Sequence, residues 1–171
     1  LPYALNSLLP KDIRVVESRL EKPDFHARIS ALEKTYRYQI YQSEFPNVFY
    51  QRYAYWIREP LEWDAIRECA GLFVGCLDFA AFASSGSNVK STVRTMRQVT
   101  VDTEGSLKLL RFTADGFLYN MVRNLVGTLV DVGLGKLSPE DVERIMASGD
   151  RRLASATIAP HGLVLEKVKY S

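Results

Sequence analysis

Hydrophobic residues recur at two spacings along this chain. Over residues 35–41 they alternate, with Tyr36, Tyr38 and Ile40 on one face of an extended segment and Thr35, Arg37, Gln39 and Tyr41 on the other. That period of two predicts a strand in the second half of 28–42. Over 62–76 the spacing becomes helical, with Ile66, Cys69, Ala70 and Phe73 at i, i+3, i+4 and i+7. Two adjacent strands are predicted at Val93–Asp102 and Leu107–Thr113, joined by a turn at TEGS, and a closing strand at 162–170. DIRVVES, 12–18, predicts a further short strand. A helix is predicted from Phe117 to Val132, stopped by Gly133 and Gly135. SPEDVERIMASG predicts another, with Ser138 as N-cap, Pro139 at its first position, and Glu140 and Asp141 complementing the dipole. Asp78–Phe82 leads into a Ser/Gly-rich loop, ASSGSNVKST. Helices mixed with strand pairs adjacent in sequence predict an α+β fold with an antiparallel sheet.

Charge changes this picture little. The 22 Lys and Arg against 20 Asp and Glu leave a net charge of +2, so only local clusters can argue for a nucleic-acid partner. Lys90, Arg94 and Arg97 form one such basic stretch among Ser and Thr, a composition that suits phosphate contacts and also plain solvation. Arg151 and Arg152 read as neutralising a helix C-terminus in preference to touching RNA. Cys69 and Cys76 are the only cysteines; seven apart, they fit one helix face. They form no CxxC, so neither a disulfide framework nor, with His26 and His161, a zinc site is expected, and the setting reads as a reducing cytoplasm. No stretch reaches the roughly 18 apolar residues of a membrane span. The sequence does not open on methionine, and we expect it to lie inside a longer protein.

Arg123 stands in the most apolar stretch, ADGFLYNMVRNLVGTLVDVGLG. At helical spacing its neighbours are Tyr119, Asn120, Val126 and Gly127, none of them an anion. Asp131, at i+8, is too far along the axis for contact. Gly127 leaves room for something to approach one turn ahead. A buried guanidinium needs an acceptor, so either Arg123 snorkels at the surface or it holds a functional carboxylate in its ionised form.

GFLYNMVRNLVGTLVDVGLGK, with FHARISALEKTYRYQIY upstream and RRLASATIAPHGLVLEKVKY downstream, resembles the TruA-type tRNA pseudouridine synthases, as do LNSLLPKDIRV, DFAAF and STVRTM, in family order over nearly the whole chain. The resemblance implies a long, mostly antiparallel sheet flanked by helices and isomerisation of uridine to pseudouridine in the anticodon stem-loop of tRNA. It implies no cofactor and no metal, and a homodimer whose subunits share one tRNA. Arg123 matches the arginine that pairs with the catalytic aspartate, Tyr36 the tyrosine packed on the target base, and Leu163 the apolar wall of the uracil pocket. Phe25, His26, Ala27, Arg28 and Ile29 match one RNA-contacting segment, and Gly86, Ser87, Asn88, Val89 and Lys90 a second.

The family's catalytic aspartate sits in an RTDxGVH-type motif upstream of the LNSxLP block, and no RTD occurs in this sequence. We therefore expect residues 1–171 to be one domain, the C-terminal portion of a synthase, with 1–25 connecting to an upstream domain, and to be inactive alone. The alternative is a non-catalytic RNA-binding or dimerisation module.

Overall fold

The alternation over 35–41 produces β1 (Glu33–Gln42) in the computed structural model, which describes residues 1–86 and 89–170. Tyr38 and Ile40 are fully buried on one side of β1 and Tyr36 is half-buried. β1 is the axis of a six-stranded sheet in the order β2 (Tyr55–Ile57), β1, β5 (Leu107–Ala114), β4 (Val93–Glu104), β3 (Gly75–Asp78). One edge of β1 is taken by β5. The other carries β6 (Leu163–Lys169) along Glu33–Tyr38 and β2 along Ile40–Gln42. Only the β1–β2 pair is parallel; the rest are antiparallel. This is the α+β class with a mostly antiparallel sheet.

Three helices cover the face that carries Tyr38, Ile40, Leu110 and Phe112: α2 (Trp63–Gly71), α3 (Met121–Gly133) and α4 (Pro139–Ser148). Ile66, Cys69, Ala70 and Phe73 are all buried, as the helical period requires. Each such large side chain withdrawn from water contributes about 1.5–3 kcal/mol. α3 is buried all round: only Arg123 and Asp131 keep partial exposure. On the opposite face of the sheet Tyr41 and Leu109 are buried, and residues 43–54 pack on Tyr41, its ring 5.4 Å from that of Tyr50. The Tyr41 hydroxyl accepts the Asn47 N–H at 2.9 Å, and Gln39 Nε2 donates to the Tyr53 carbonyl at 2.6 Å. Farther along that face charge replaces apolar cover: Arg37 and Arg111 both pair with Glu166, and Arg111 also with Asp102 and Glu104.

Residues 1–30 form a separate compact unit from those beginning at Ala31. Here the expected strand at 12–18 is absent. The Asn6 side chain takes both backbone groups of Val15, donating to its carbonyl and accepting its N–H, each at 2.8 Å, so a side chain does the work a neighbouring strand would do. Ahead of it stands α1 (Pro2–Leu8), a helix with no buried residue, which no periodicity announced.

Two helix boundaries also differ from expectation. The segment 62–76 is helical only to Gly71; a turn with Gly75 at φ 132° then starts β3. Cys76 consequently lies exposed on a strand, away from the helix face that buries Cys69. α3 starts at Met121 instead of Phe117, because Asn120 adopts a left-handed conformation, φ 58°.

Candidate active site

α3 delivers Arg123 half-buried to the edge of the core. Its Nε donates to the Ile158 carbonyl at 2.7 Å and its Nη1 to Asn120 Oδ1 at 2.9 Å. Among the described residues no carboxylate pairs with it, and Nη2 has no hydrogen-bond acceptor. Nearby aspartates are committed elsewhere: Asp131 pairs with Lys136 at 3.1 Å, and Asp115 Oδ1 accepts the Thr95 N–H at 3.0 Å. Two neutral acceptors therefore hold the guanidinium while its charge stays available to an anion.

Gly127 explains how Ile158 comes so near. A Cβ at this position would overlap the Ala156 carbonyl oxygen. The room that the sequence offered beside Arg123 is filled by the chain's own segment 156–158. Beside that segment, a hollow of ≈ 710 Å³ is lined by Tyr55–Glu59, by Gly127, Val130 and Asp131 of α3, and by Ala156–Ala159. Arg123, Tyr36 and Leu163 do not line it.

Tyr36 is held edge-on by Phe117, ring centroids 5.0 Å apart at 84°. Its cross-strand partners are Phe112 on β5 and Leu165 on β6. Leu163 opens β6 directly opposite Tyr38, so Tyr36, Tyr38 and Leu163 share the helix-facing side of the sheet. Tyr38 joins these parts. Its hydroxyl donates to the Ala159 carbonyl at 2.6 Å. Burial pushes that hydroxyl's pKa far up, the nearby Tyr55 adds to the shift, and the positive charge of Arg123 opposes it, which places Arg123 within electrostatic reach.

In the Ser/Gly-rich loop, Gly86 has φ 96°, Val89 and Lys90 are exposed, and Ser87 and Asn88 lie outside the described residues. Arg94 bends back onto the Ser91 and Val93 carbonyls, and Arg97 pairs with Glu33 at 3.2 Å. That leaves Lys90 and Arg94 as the members of this basic stretch without an ion pair among the described residues, and Arg94 is held by backbone carbonyls. Within the unit 1–30, His26 organises a turn: its Nδ1 accepts the N–H groups of Arg28 and Ile29 at 3.2 and 3.3 Å, and its own N–H donates to Ser30 Oγ at 3.0 Å. Arg28 and Ile29 are exposed there; Phe25 is half-buried, and Ala27 neighbours them in the same turn. No cluster of metal-ligating side chains occurs among the described residues.

Sequence reasoning missed the polar residues around Arg123. Asn124 is fully buried; its Nδ2 donates to the Phe82 carbonyl at 2.7 Å and its Oδ1 accepts from Thr157 Oγ1 at 2.6 Å and Arg151 Nη2 at 3.0 Å. Arg151 therefore points into this network instead of capping a helix, while Arg152 pairs with Asp150. The signal was present in the sequence: three polar residues, Asn120, Arg123 and Asn124, stand within an otherwise apolar run.

The profile of the family described as tRNA pseudouridine synthase matches residues 69–171. The tRNA pseudouridine synthase A of Acetivibrio thermocellus is 42% identical over 168 residues, 98% of this chain and 69% of that protein. The tRNA pseudouridine synthase A 2 of Clostridium perfringens is 44% identical over 167 residues, covering 98% and 68%. That of Bacillus subtilis is 42% identical over 170 residues, covering 99% and 68%. By the profile over more than half of its length and by these identities, this chain belongs to the tRNA pseudouridine synthase family.

Proposed function

We propose that this chain supplies the arginine, the base platform and the apolar wall of a site that isomerises uridine to pseudouridine in the anticodon stem-loop of tRNA. In that reaction the N1–C1′ glycosidic bond breaks, the uracil turns, and a C5–C1′ bond replaces it, with the C5 proton lost and N1 protonated. The carrying observation is Arg123: a guanidinium on a buried helix, fixed by two neutral acceptors, with Nη2 open and no carboxylate beside it among the described residues. An aspartate from outside these 171 residues fits that vacancy in charge, and the arginine would hold it ionised.

Tyr36, steadied by Phe117, receives the flipped base on its ring; such stacking is worth about 1–3 kcal/mol per base. Leu163 walls the uracil from water while the glycosidic bond is open. Phe25–Ile29 and Gly86–Lys90 touch the RNA backbone, with Arg28 and Lys90 as the cations. Residues 1–25 connect to the segment that carries the aspartate. The homodimer rests on the family resemblance and is read out by sedimentation. Two free thiols support a reducing cytoplasm, and no helix among the described residues is long and apolar enough to cross a membrane.

Tritium release from anticodon stem-loop RNA labelled at C5 of uridine tests the reading. The 171-residue chain alone should release none. In enzyme that includes the aspartate, Arg123→Ala should lower turnover by roughly a hundredfold or more with RNA affinity little changed. Normal turnover by that variant, or release by the chain alone, rejects the assignment.

A further inference from the structure

Asn120 is the one non-glycine residue with positive φ among the described residues, at 58°. It occupies the N-cap position of α3, yet its side chain makes no capping hydrogen bond. An N-cap asparagine ordinarily accepts from the first-turn N–H groups. Here the amide turns away from the helix: Oδ1 accepts from Arg123 Nη1 at 2.9 Å and Nδ2 donates to Ser84 Oγ at 3.3 Å. A strained backbone and a forgone cap at the same residue suggest a function.

The contacts close into a ring. Ser84 Oγ also accepts from Asn124 Nδ2 at 3.3 Å; Asn124 Oδ1 accepts from Thr157 Oγ1; and the next residue, Ile158, offers its carbonyl to Arg123 Nε. Backbone links stiffen it, since the Ser84 N–H donates to the Tyr119 carbonyl at 3.0 Å. Both acceptors of Arg123 are thus themselves oriented, one by Ser84 and one through Thr157 and Asn124. Ser84 also lies at the start of the Ser/Gly-rich loop.

We propose that Asn120 is a positioning residue for Arg123, holding the guanidinium so that Nη2 faces the incoming carboxylate, and that Ser84 orients that amide. The proposal rests on the role given to Arg123 above, but its test needs neither RNA nor turnover. Asn120→Gly is the informative change, because glycine adopts the left-handed conformation freely and keeps the entry into α3 while removing the amide.

The probe is the Arg123 side chain in ¹⁵N–¹H NMR of the protein without RNA. Asn120→Gly should leave the melting temperature at or near the wild-type value, free rotation of the Arg123 guanidinium about its Nε–Cζ bond and speed hydrogen exchange at Nη1 about tenfold. Asn120→Asp, which keeps an oxygen at the Oδ1 position, should restore the restricted signal. Ser84→Ala should loosen it in part and Ser84→Thr should not. Arg123 signals unchanged in both Asn120→Gly and Ser84→Ala overturn the proposal, and so does a loosening that Asn120→Asp fails to reverse. If instead Arg123→Ala proves fully active in turnover, the catalytic reading fails while the ring can still stand.

Discussion

Arg123 and Asp131 are the two residues of α3 that are not buried, and they are its two charged residues. Desolvating either would cost several kcal/mol, so the helix packs with both turned to its open rim. Asp131 finds Lys136, whereas Arg123 finds only neutral oxygens among the described residues. That asymmetry underlies the functional reading. The thiols give a simpler test at the same scale. Burial raises the Cys69 pKa to about 11, whereas Cys76 is exposed on β3. Because the thiolate is the reactive form, one thiol should react rapidly with a disulfide reagent in native protein at neutral pH, and mass spectrometry should place it at Cys76. The second should appear only on unfolding.

Among the elements, α3 and the segment 154–159 form one device. Gly127 lets the Ala156 carbonyl lie against the helix, and Arg151 and Thr157 pin that segment to Asn124. Gly127→Ala forces a methyl against backbone that cannot rotate away. It should cost about 1–3 kcal/mol despite alanine's better helix propensity, measured by denaturant unfolding, and should displace the Ile158 carbonyl from Arg123. α4 behaves as its sequence says: Ser138 Oγ accepts the Asp141 N–H at 3.2 Å and the Asp141 carboxylate accepts the Ser138 N–H at 2.8 Å, a complete capping box. Ser138→Ala should lower stability by about 1 kcal/mol. The Ser138 backbone bond, then its hydroxyl, holds the Asp141 carboxyl below its usual pKa; an Arg152 side-chain bond holds Asp150 at about 2. Both groups therefore stabilise the fold above the ordinary carboxylate range, and that contribution is lost as pH falls through the lowered values. A thermal melt series should show the decline on the acid side, with Ser138→Ala weakening the part due to Asp141.

For the molecule as a whole, the distribution of charge matters more than its sum. Arg37 and Arg111 are neutralised by Glu166, Asp102 and Glu104 on the face opposite the helices, and Arg97 by Glu33, so the net +2 does not by itself point to a surface for the proposed RNA partner. Lys90 and Arg28 keep their charges outside such pairs. Binding of anticodon stem-loop RNA should weaken with salt, and Lys90→Ala should reduce the slope of log K against log salt by about 0.7–0.9, as loss of one phosphate contact does. An unchanged slope removes Lys90 from the RNA surface.

The sequence by itself determined β1, β4, β5 and β6, the buried stripe of α2, the capping box of α4 and the oddity of a cation in an apolar helix, but not the short strands β2 and β3. Each of these is written in spacing between near neighbours, where period and cap chemistry act directly. Only the tertiary structure decided that 12–18 is no strand, that the helix at 62 stops at Gly71, and that Asn120 bends the chain before α3. Only it brought Ser84, Asn120, Asn124, Thr157 and Ile158 around Arg123. Those outcomes depend on which distant backbone groups find partners. A hydrogen bond across 35 residues leaves no period in the chain that makes it.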